Sequence, residues 1–283
     1  QKFPNKVLLN GPKGIGKKLF VNHFLNYFYL KENKQSYNLK NYEYNLSNNI
    51  SKLISSNSHP NILKIYRKND KKIIDIDQIR EMIKFTNQTS FNNDRRFIII
   101  ENVNLLGINS ANALLKSIEE PNNKIHFILI NNSEFKVLET IKSRCLEFKL
   151  NLLNSEVMEI VNYHFEADIY KDINLDFINN YNSPSFLISL VNFLESNDLS
   201  IKDNSIEDLL TYIIKNKLYT SNDFIKEYLN LFIELFFYKN INISKKISFK
   251  IKKYFYLKLS FVKKYNLDFE SFFLEFNDKL LSE

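Results

Sequence analysis

Hydrophobic residues in the first half of the chain form short continuous runs, separated by segments with helical spacing. Val7–Asn10 is a short apolar strand, and the runs Phe97–Ile100 and Ile125–Ile130 are typical of parallel strands buried on both faces. Apolar residues recur every three or four positions in Leu19–Phe28 and Ile76–Ile83, which predicts amphipathic helices. Strands that alternate with helices predict a doubly wound parallel sheet with right-handed crossovers.

Weaker patterns complete this half of the chain. We predict a strand at Asn61–Tyr66, helices at Ala111–Glu119 and Val137–Ile141, and a last strand at Leu146–Leu150. Asp75 or Asp77 is suited to cap the helix that follows, and Asn109 or Ser110 the helix before Pro121.

The strand signal ends after Leu150, and only helical patterns follow. Three short helices are predicted at Ser155–Phe165, Leu175–Tyr181 and Pro184–Leu194. Four amphipathic helices are predicted to start at Ser205, Ser221, Ser244 and Asp268, where Ser205 and Asp208 match a capping box. The pattern divides the chain into an α/β domain (1–150), a small helical domain (151–200) and a helical C-terminal domain (201–283). The many C-terminal aromatic residues have helical spacing, which favours packing over base stacking.

Composition adds little. The net charge of +7 suits an acidic partner such as nucleic acid, but a compositional bias towards Lys, Asn and Ile explains it equally well. No run of about 18 apolar residues exists, so no membrane span is expected. Gln1–Asn10 lack the features of a signal peptide. The single cysteine, Cys145, excludes internal disulfides and cysteine-cluster zinc sites. We therefore expect a cytoplasmic protein.

A candidate phosphate loop follows the first strand, with the sequence GPKGIGKK from Gly11 to Lys18. Gly11, Gly14 and Gly16 allow consecutive backbone N–H groups to turn towards a phosphate, and Lys17 would reach the outer phosphates. The last position of the pattern requires a Ser or Thr hydroxyl for magnesium, and Lys18 cannot coordinate a cation. A strand-to-helix turn without a ligand is the alternative, and weak, magnesium-poor nucleotide binding stays open.

The acidic positions are altered as well. A phosphate-loop ATPase uses one carboxylate to hold magnesium and another to polarise the attacking water, whereas this chain has Glu101 then Asn102 after the strand Phe97–Ile100. Glu101 could still serve a metal, but Asn102 cannot act as a general base. The four histidines are scattered without metal-ligand spacing, so no metal site is predicted.

Several segments together carry a family resemblance. Ser110–Pro121 (SANALLKSIEEP), Phe127–Ile130 (FILI) and Ile141–Cys145 (IKSRC) resemble the NALLKTLEEP…SRC region of bacterial DNA polymerase III clamp-loader subunits. Ser58–Asn61 (SHPN) together with Ile76–Arg80 (IDQIR) resembles the delta-prime branch of that family. The combination is specific, whereas each segment alone is not.

The resemblance covers residues 3–190 and implies an AAA+ P-loop fold, in which 151–200 form a lid and 201–283 an oligomerising collar. Asn182–Phe186 (NSPSF) resembles the family's GSPGR segment, so Phe186 replaces an arginine that would contact the γ-phosphate. Together with Lys18 and Asn102, this third loss predicts that the chain does not hydrolyse ATP, because phosphoryl transfer depends on positioning and charge neutralisation.

Unlike Lys18, Asn102 and Phe186, Arg144 matches the residue that the resembling family carries at its position. The resemblance implies that it projects to the γ-phosphate of an adjacent ATPase subunit, as an arginine finger supplied in trans. The plain alternative is a surface arginine in a salt bridge.

The resemblance therefore implies a non-hydrolysing delta-prime component of the DNA polymerase III holoenzyme, which helps load the sliding clamp on primed DNA. Implied partners are the gamma/tau and delta subunits in a hetero-pentamer, the clamp and primer-template DNA, without a membrane. No cofactor is expected to be required, and the residues argue against ATP–magnesium binding. Alternatives are an ATP-hydrolysing gamma/tau-like or other AAA+ subunit, and a nucleotide-sensing AAA+ scaffold. Basic residues that could contact DNA phosphate are Lys13, Lys17, Lys18, Arg80, Lys84, Arg95 and Arg96.

Overall fold

The computed structural model describes residues 3–32, 37–68, 71, 73–119, 124–178, 182–243, 247–265 and 267–281. The chain divides into two compact units, Gln1–Leu152 and Leu153–Glu283. The further division predicted at residue 200 stays a prediction.

A parallel sheet forms the centre of the first unit. The strands of this unit are β1 (Lys6–Gly11), β2 (Tyr37–Asn38), β3 (Glu43–Tyr44), β4 (Ile62–Ile65), β5 (Arg96–Glu101), β6 (Ile125–Asn132) and β7 (Leu146–Lys149). Five of them form one sheet in the order β4-β5-β6-β1-β7, and every pairing is parallel. β2 and β3 form a separate antiparallel pair. The continuous apolar runs of β5 and β6 are buried along most of their length, as parallel strands covered on both faces require.

Helices cover both faces of this sheet. They are α1 (Lys17–Glu32), α2 (Asn49–Ser55), α3 (Ile76–Asn87), α4 (Ile108–Glu119) and α5 (Glu139–Lys142). One core cluster joins α1 and α2 to the sheet, and the other joins α3, α4 and α5 to its opposite face. The predicted doubly wound α/β fold is therefore confirmed.

The N-caps predicted from the sequence can be tested at the first residues of α3 and α4. Asp75 caps α3, because its carboxylate accepts from the N–H of Asp77. The predicted cap of α4 is wrong. The N–H of Ala111 already bonds to the carbonyl of Gly107 at 2.8 Å, so Asn109 and Ser110 lie inside the first turn. Ser110 is buried and packs instead of capping. Pro121 lies outside the described residues.

The second unit is helical in the residues that the structure describes. Its helices are α6 (Asn154–Phe165), α7 (Pro184–Ser196), α8 (Ile206–Lys215), α9 (Leu218–Ser221), α10 (Asp223–Tyr238), α11 (Phe249–Tyr265) and α12 (Phe269–Leu280). The Ser205–Asp208 capping box and the Asp268 cap are confirmed.

Two predictions for the second unit are wrong, and a third falls on a residue outside the described ones. Asn222 rather than Ser221 caps α10, because Ser221 ends the one-turn helix α9. The predicted helix at Leu175–Tyr181 is only a 3₁₀ turn at Leu175–Phe177, with 179–181 outside the described residues. Ser244 also lies outside them.

C-terminal aromatic rings fill the core of the second unit. The fully buried ones include Phe232, Phe236, Phe237, Phe255, Phe272, Phe273 and Phe276. Phe255, Phe237 and Phe276 lie in mutual ring contact. Tyr238, Tyr254 and Phe261 remain about half exposed. The prediction that these aromatic residues mainly pack is confirmed for the buried set.

Candidate functional site: the phosphate loop and Arg144

The phosphate loop, Gly11–Lys18, connects the carboxyl end of β1 to α1. Gly14 and Gly16 have φ angles of 82° and 91°, which L-residues with a side chain rarely adopt. The backbone at these two positions therefore requires glycine. Gly11 has a different role. A Cβ at this position would lie 2.3 Å from the carbonyl oxygen of Leu150, so Gly11 allows the chain after β7 to pack closely.

Lys17 turns into the loop that it belongs to. Its Nζ donates to the carbonyl oxygens of Gly11 at 2.6 Å and Pro12 at 2.5 Å, and the residue is only 6% exposed. Burial lowers the pKa of Lys17 to about 8, although the charge of Glu134 opposes this effect. The ammonium that was expected to reach outer phosphates thus binds backbone carbonyls.

Lys18 and Glu101 form an ion pair. The Lys18 side chain is largely exposed, whereas that of Glu101 is mostly buried at the end of β5. The pair thus joins the position that should carry a magnesium-binding hydroxyl to the carboxylate that could serve the metal. Burial holds the pKa of nearby Lys64 below its ordinary value, although the charge of Glu101 acts in the opposite direction. Two cations therefore lie close to this one carboxylate.

Neutral amides line the same edge of the sheet. Asn102 has a left-handed backbone, and its Oδ1 accepts from Nδ2 of Asn132 at 3.0 Å. Asn131 donates to Asn10 at 3.0 Å, and Asn10 donates to Glu147 at 2.9 Å. Of these asparagines only Asn102 was singled out in the sequence. Their signal is that each stands at or just beyond the end of a buried strand. No group of three His, Cys, Asp or Glu suited to a metal occurs among the described residues.

Phe186 belongs to the core of the second unit. It is 1% exposed and its ring lies 5.1 Å from that of Tyr228 and 5.8 Å from that of Phe232. Ser183 caps α7 through a 3.4 Å bond from the N–H of Phe186. This position therefore carries a packing residue.

Arg144 lies at the edge of the sheet formed by the amino ends of the strands, whereas the phosphate loop lies at the edge formed by their carboxyl ends. β1 and β7 run parallel with Val7 beside Leu146, so the loop follows the end of one strand while Arg144 precedes the start of the other. Four residues of strand, or roughly 13 Å, separate these two edges. The Arg144 side chain is 37% exposed and pairs with Glu119, with Nη2 2.9 Å from Oε1. Nε donates to the same oxygen at 3.1 Å, and Nη1 donates to the Thr140 carbonyl at 2.9 Å.

Cys145 and the histidines His59 and His126 lie in packed surroundings. Burial raises the pKa of the Cys145 thiol to about 11, so this residue is poorly suited to act as a nucleophile. His126 stacks on Phe97, and His59 packs on Tyr29. Burial lowers the pKa of both imidazoles.

The basic residues of the first unit differ in accessibility. Arg96 is 3% exposed, donates to the Gln88 carbonyl at 2.6 Å and lies 3.6 Å from the centre of the Phe85 ring. It is therefore a poor candidate for surface contact with DNA. It borders a cavity of about 1210 Å³ beside α3 and α4, where Lys116 and Lys124 also lie. No acidic residue is among the described residues that line this cavity.

No helix within the described residues is both long and apolar enough to cross a membrane.

Comparison with known proteins identifies the family. The family model described as "DNA polymerase III, delta subunit" matches residues 1–154. DNA polymerase III subunit delta' of Pseudomonas aeruginosa is 30% identical over 140 residues, which cover 50% of this chain and 41% of that protein.

Two proteins of Buchnera aphidicola subsp. Schizaphis graminum are also similar. Its subunit delta' is 34% identical over 168 residues, covering 59% of this chain and 49% of that protein. Its subunit gamma is 41% identical over 81 residues, covering 29% and 22%. The chain thus spans less than half the length of each of these relatives. Because the family model covers more than half of the chain and delta-prime subunits are among its relatives, the chain belongs to the delta-prime type of DNA polymerase III clamp-loader subunits.

Proposed function

We propose that this chain is a non-hydrolysing subunit of a clamp loader and supplies Arg144 to the ATP site of a neighbouring subunit. The observation that carries the proposal is the ion pair between Lys18 and Glu101. A lysine ammonium stands where a magnesium-binding hydroxyl is needed, and it neutralises the carboxylate that would help hold the metal.

Further features of the same site support this proposal. The Lys17 ammonium is already bound by the Gly11 and Pro12 carbonyls, so a phosphate would have to displace these bonds. Asn102 bonds to Asn132 and supplies no carboxylate to activate water. Electrostatic stabilisation and positioning are the main contributions that an enzyme makes to phosphoryl transfer, and this site lacks several of them.

The position of Arg144 supports action on another molecule. It lies across the sheet from its own phosphate loop, so its side chain is too short to serve that loop. The side chain is accessible, with 37% exposure. A permanently charged guanidinium suits phosphate oxygens, and an arginine finger supplied in trans typically raises turnover by roughly a thousandfold or more.

The proposed partners follow from this role. They are ATPase subunits of the gamma/tau kind, a delta subunit, the sliding clamp and primer-template DNA, assembled as a hetero-pentamer in the cytoplasm. The similarity to a gamma subunit supports a common complex of related subunits. The cavity with Lys116 and Lys124, which has no acidic residue among its described lining, supports a polyanionic partner.

Steady-state ATP turnover tests the proposal. The isolated chain should show none, with or without primed DNA. In a complex reconstituted with its cognate ATPase subunits, Arg144→Ala should lower turnover at the affected site by about a hundredfold or more and reduce clamp loading, while assembly by size-exclusion chromatography stays intact.

Arg67→Ala is the matched control, because Arg67 is exposed and its bond to the Lys71 carbonyl is 3.3 Å long. It should leave turnover unchanged. Turnover by the isolated chain at the rate of a loader ATPase would contradict the non-hydrolysing role. Unchanged turnover in the Arg144→Ala complex would contradict the role of Arg144.

A further inference from the structure

The guanidinium of Arg144 is held on two sides. Glu119 Oε1 accepts from Nε at 3.1 Å and lies 2.9 Å from Nη2. The Thr140 carbonyl, one helical turn before Arg144, accepts from Nη1 at 2.9 Å. These contacts engage one lateral edge of the planar group and the side that faces back towards α5.

A count of donors shows what remains available. A guanidinium has five N–H groups in a fixed planar fork, and the contacts with Glu119 and Thr140 use three of them. The second N–H of Nη1 has only a long contact, 3.5 Å, with the Ser143 hydroxyl, and the second N–H of Nη2 completes the outer pair. Two N–H groups on the terminal nitrogens form the parallel pair that binds two oxygens of a phosphate.

We propose that Glu119 is a positioning residue for Arg144, which orients the guanidinium so that its outer pair of N–H groups is presented to a phosphate of the neighbouring nucleotide. The inference rests on the proposed function, because it assumes that Arg144 acts in trans. An arginine side chain carries about 2 kcal/mol of rotamer entropy, so a free side chain would rarely occupy the productive rotamer.

The location of Glu119 supports a role beyond stability. It is the last residue of α4, where the negative end of the helix dipole disfavours a carboxylate. The Arg144 guanidinium offsets this unfavourable placement. Both side chains are well exposed, at 50% and 37%, and exposed ion pairs contribute little to stability. The ion pair therefore restricts the orientation of the Arg144 side chain more than it stabilises the fold.

The test uses the complex reconstituted with the cognate ATPase subunits and measures kcat and KM for ATP. Glu119→Ala should lower kcat at the affected site by about tenfold or more with little change in KM, since misplacement of a catalytic group by 1 Å can cost roughly a hundredfold. Glu119→Gln should stay within about threefold of the wild type, because the amide oxygen still accepts from Nε and Nη2.

Two controls separate positioning from folding. The double variant Glu119→Ala, Arg144→Ala should match Arg144→Ala alone, because a residue that acts only through the arginine has no effect without it. Glu139→Ala removes an exposed carboxylate of α5 that is not among the partners of Arg144, and it should leave kcat unchanged. The melting temperatures of all variants should agree with that of the wild type to within about 4 °C.

Different results overturn different statements. If Arg144→Ala lowers kcat and Glu119→Ala does not, the positioning role is wrong and the proposed function stands. If Glu119→Ala raises kcat, the carboxylate restrains the arginine instead of orienting it. If Arg144→Ala has no effect, the proposed function fails and the inference fails with it.

Discussion

Two consecutive lysines of the phosphate loop have different environments. Lys17 is buried against the Gly11 and Pro12 carbonyls, whereas Lys18 extends towards Glu101 with most of its side chain exposed. Neighbouring residues at the start of a helix point about 100° apart, so one enters the loop while the other leaves it. The positive charge of the loop is therefore already engaged within the chain.

Replacement of Lys18 by threonine tests this reading at a single residue. Lys18→Thr supplies the missing hydroxyl and releases Glu101, so we expect magnesium to strengthen ATP binding by about tenfold or more, roughly 1.4 kcal/mol. Calorimetry with magnesium and then with EDTA measures this difference. Turnover should stay absent, because Asn102 is unchanged.

Lys13→Thr is the matched control for this substitution. It removes one positive charge from the same loop without placing a hydroxyl at the metal position, so magnesium should have no effect on its affinity. Equal affinity of Lys18→Thr with and without magnesium would show that the hydroxyl is not the missing ligand.

At the level of elements, the contact between β1 and the segment after β7 determines the shape of the loop. β7 is the edge strand beside β1, and Leu150 continues past it to donate to the Asn10 carbonyl at 2.7 Å. The Leu150 carbonyl oxygen then occupies the space in which a Cβ of residue 11 would lie. Gly11 is thus required by packing, whereas Gly16 is required by its positive φ and has open space around it.

Alanine substitutions distinguish these two requirements. Gly11→Ala should lower the free energy of unfolding by about 3 kcal/mol or more, because a backbone clash forces the strand ends apart. Gly16→Ala should cost only about 1–2 kcal/mol, from the left-handed conformation alone. Urea unfolding monitored by circular dichroism measures both values. A larger loss for Gly16→Ala would contradict the packing role of Gly11.

At the level of the whole molecule, the second unit relies on aromatic packing. Phe186 on α7 lies against Tyr228 and Phe232 of α10, and further rings link α10 to α11 and α12. Buried aromatic side chains supply large apolar areas. Phe186 therefore contributes to the core of this unit.

Truncation of Phe186 measures this contribution. Phe186→Ala should lower the free energy of unfolding by about 3–5 kcal/mol, because it removes a fully buried ring and leaves a cavity. Phe249→Ala is the control in the same unit. Phe249 is 70% exposed, so its loss should change stability by less than about 0.5 kcal/mol. Equal effects of the two substitutions in urea unfolding would contradict the core role of Phe186.

The sequence by itself determined the features that depend on local order. Continuous apolar runs predicted β5 and β6, because parallel strands covered on both faces are rich in apolar side chains. Caps at Asp75, Ser205 and Asp268 were predictable, since each carboxylate or hydroxyl bonds within three residues. The substitutions at Lys18 and Asn102 could be read directly against the residue types that magnesium and water activation require.

Only the tertiary structure decided which distant side chains meet. Arg144 and Glu119 are 25 residues apart, and Lys18 meets Glu101 because α1 and β5 converge at one edge of the sheet. Gly11 contacts Leu150, and Ser110 is buried where its local sequence suggested a cap. Such contacts depend on strand order and on the packing of helices against the sheet, which no local periodicity encodes. The residue types were therefore visible in the sequence, while their partners arose from the fold.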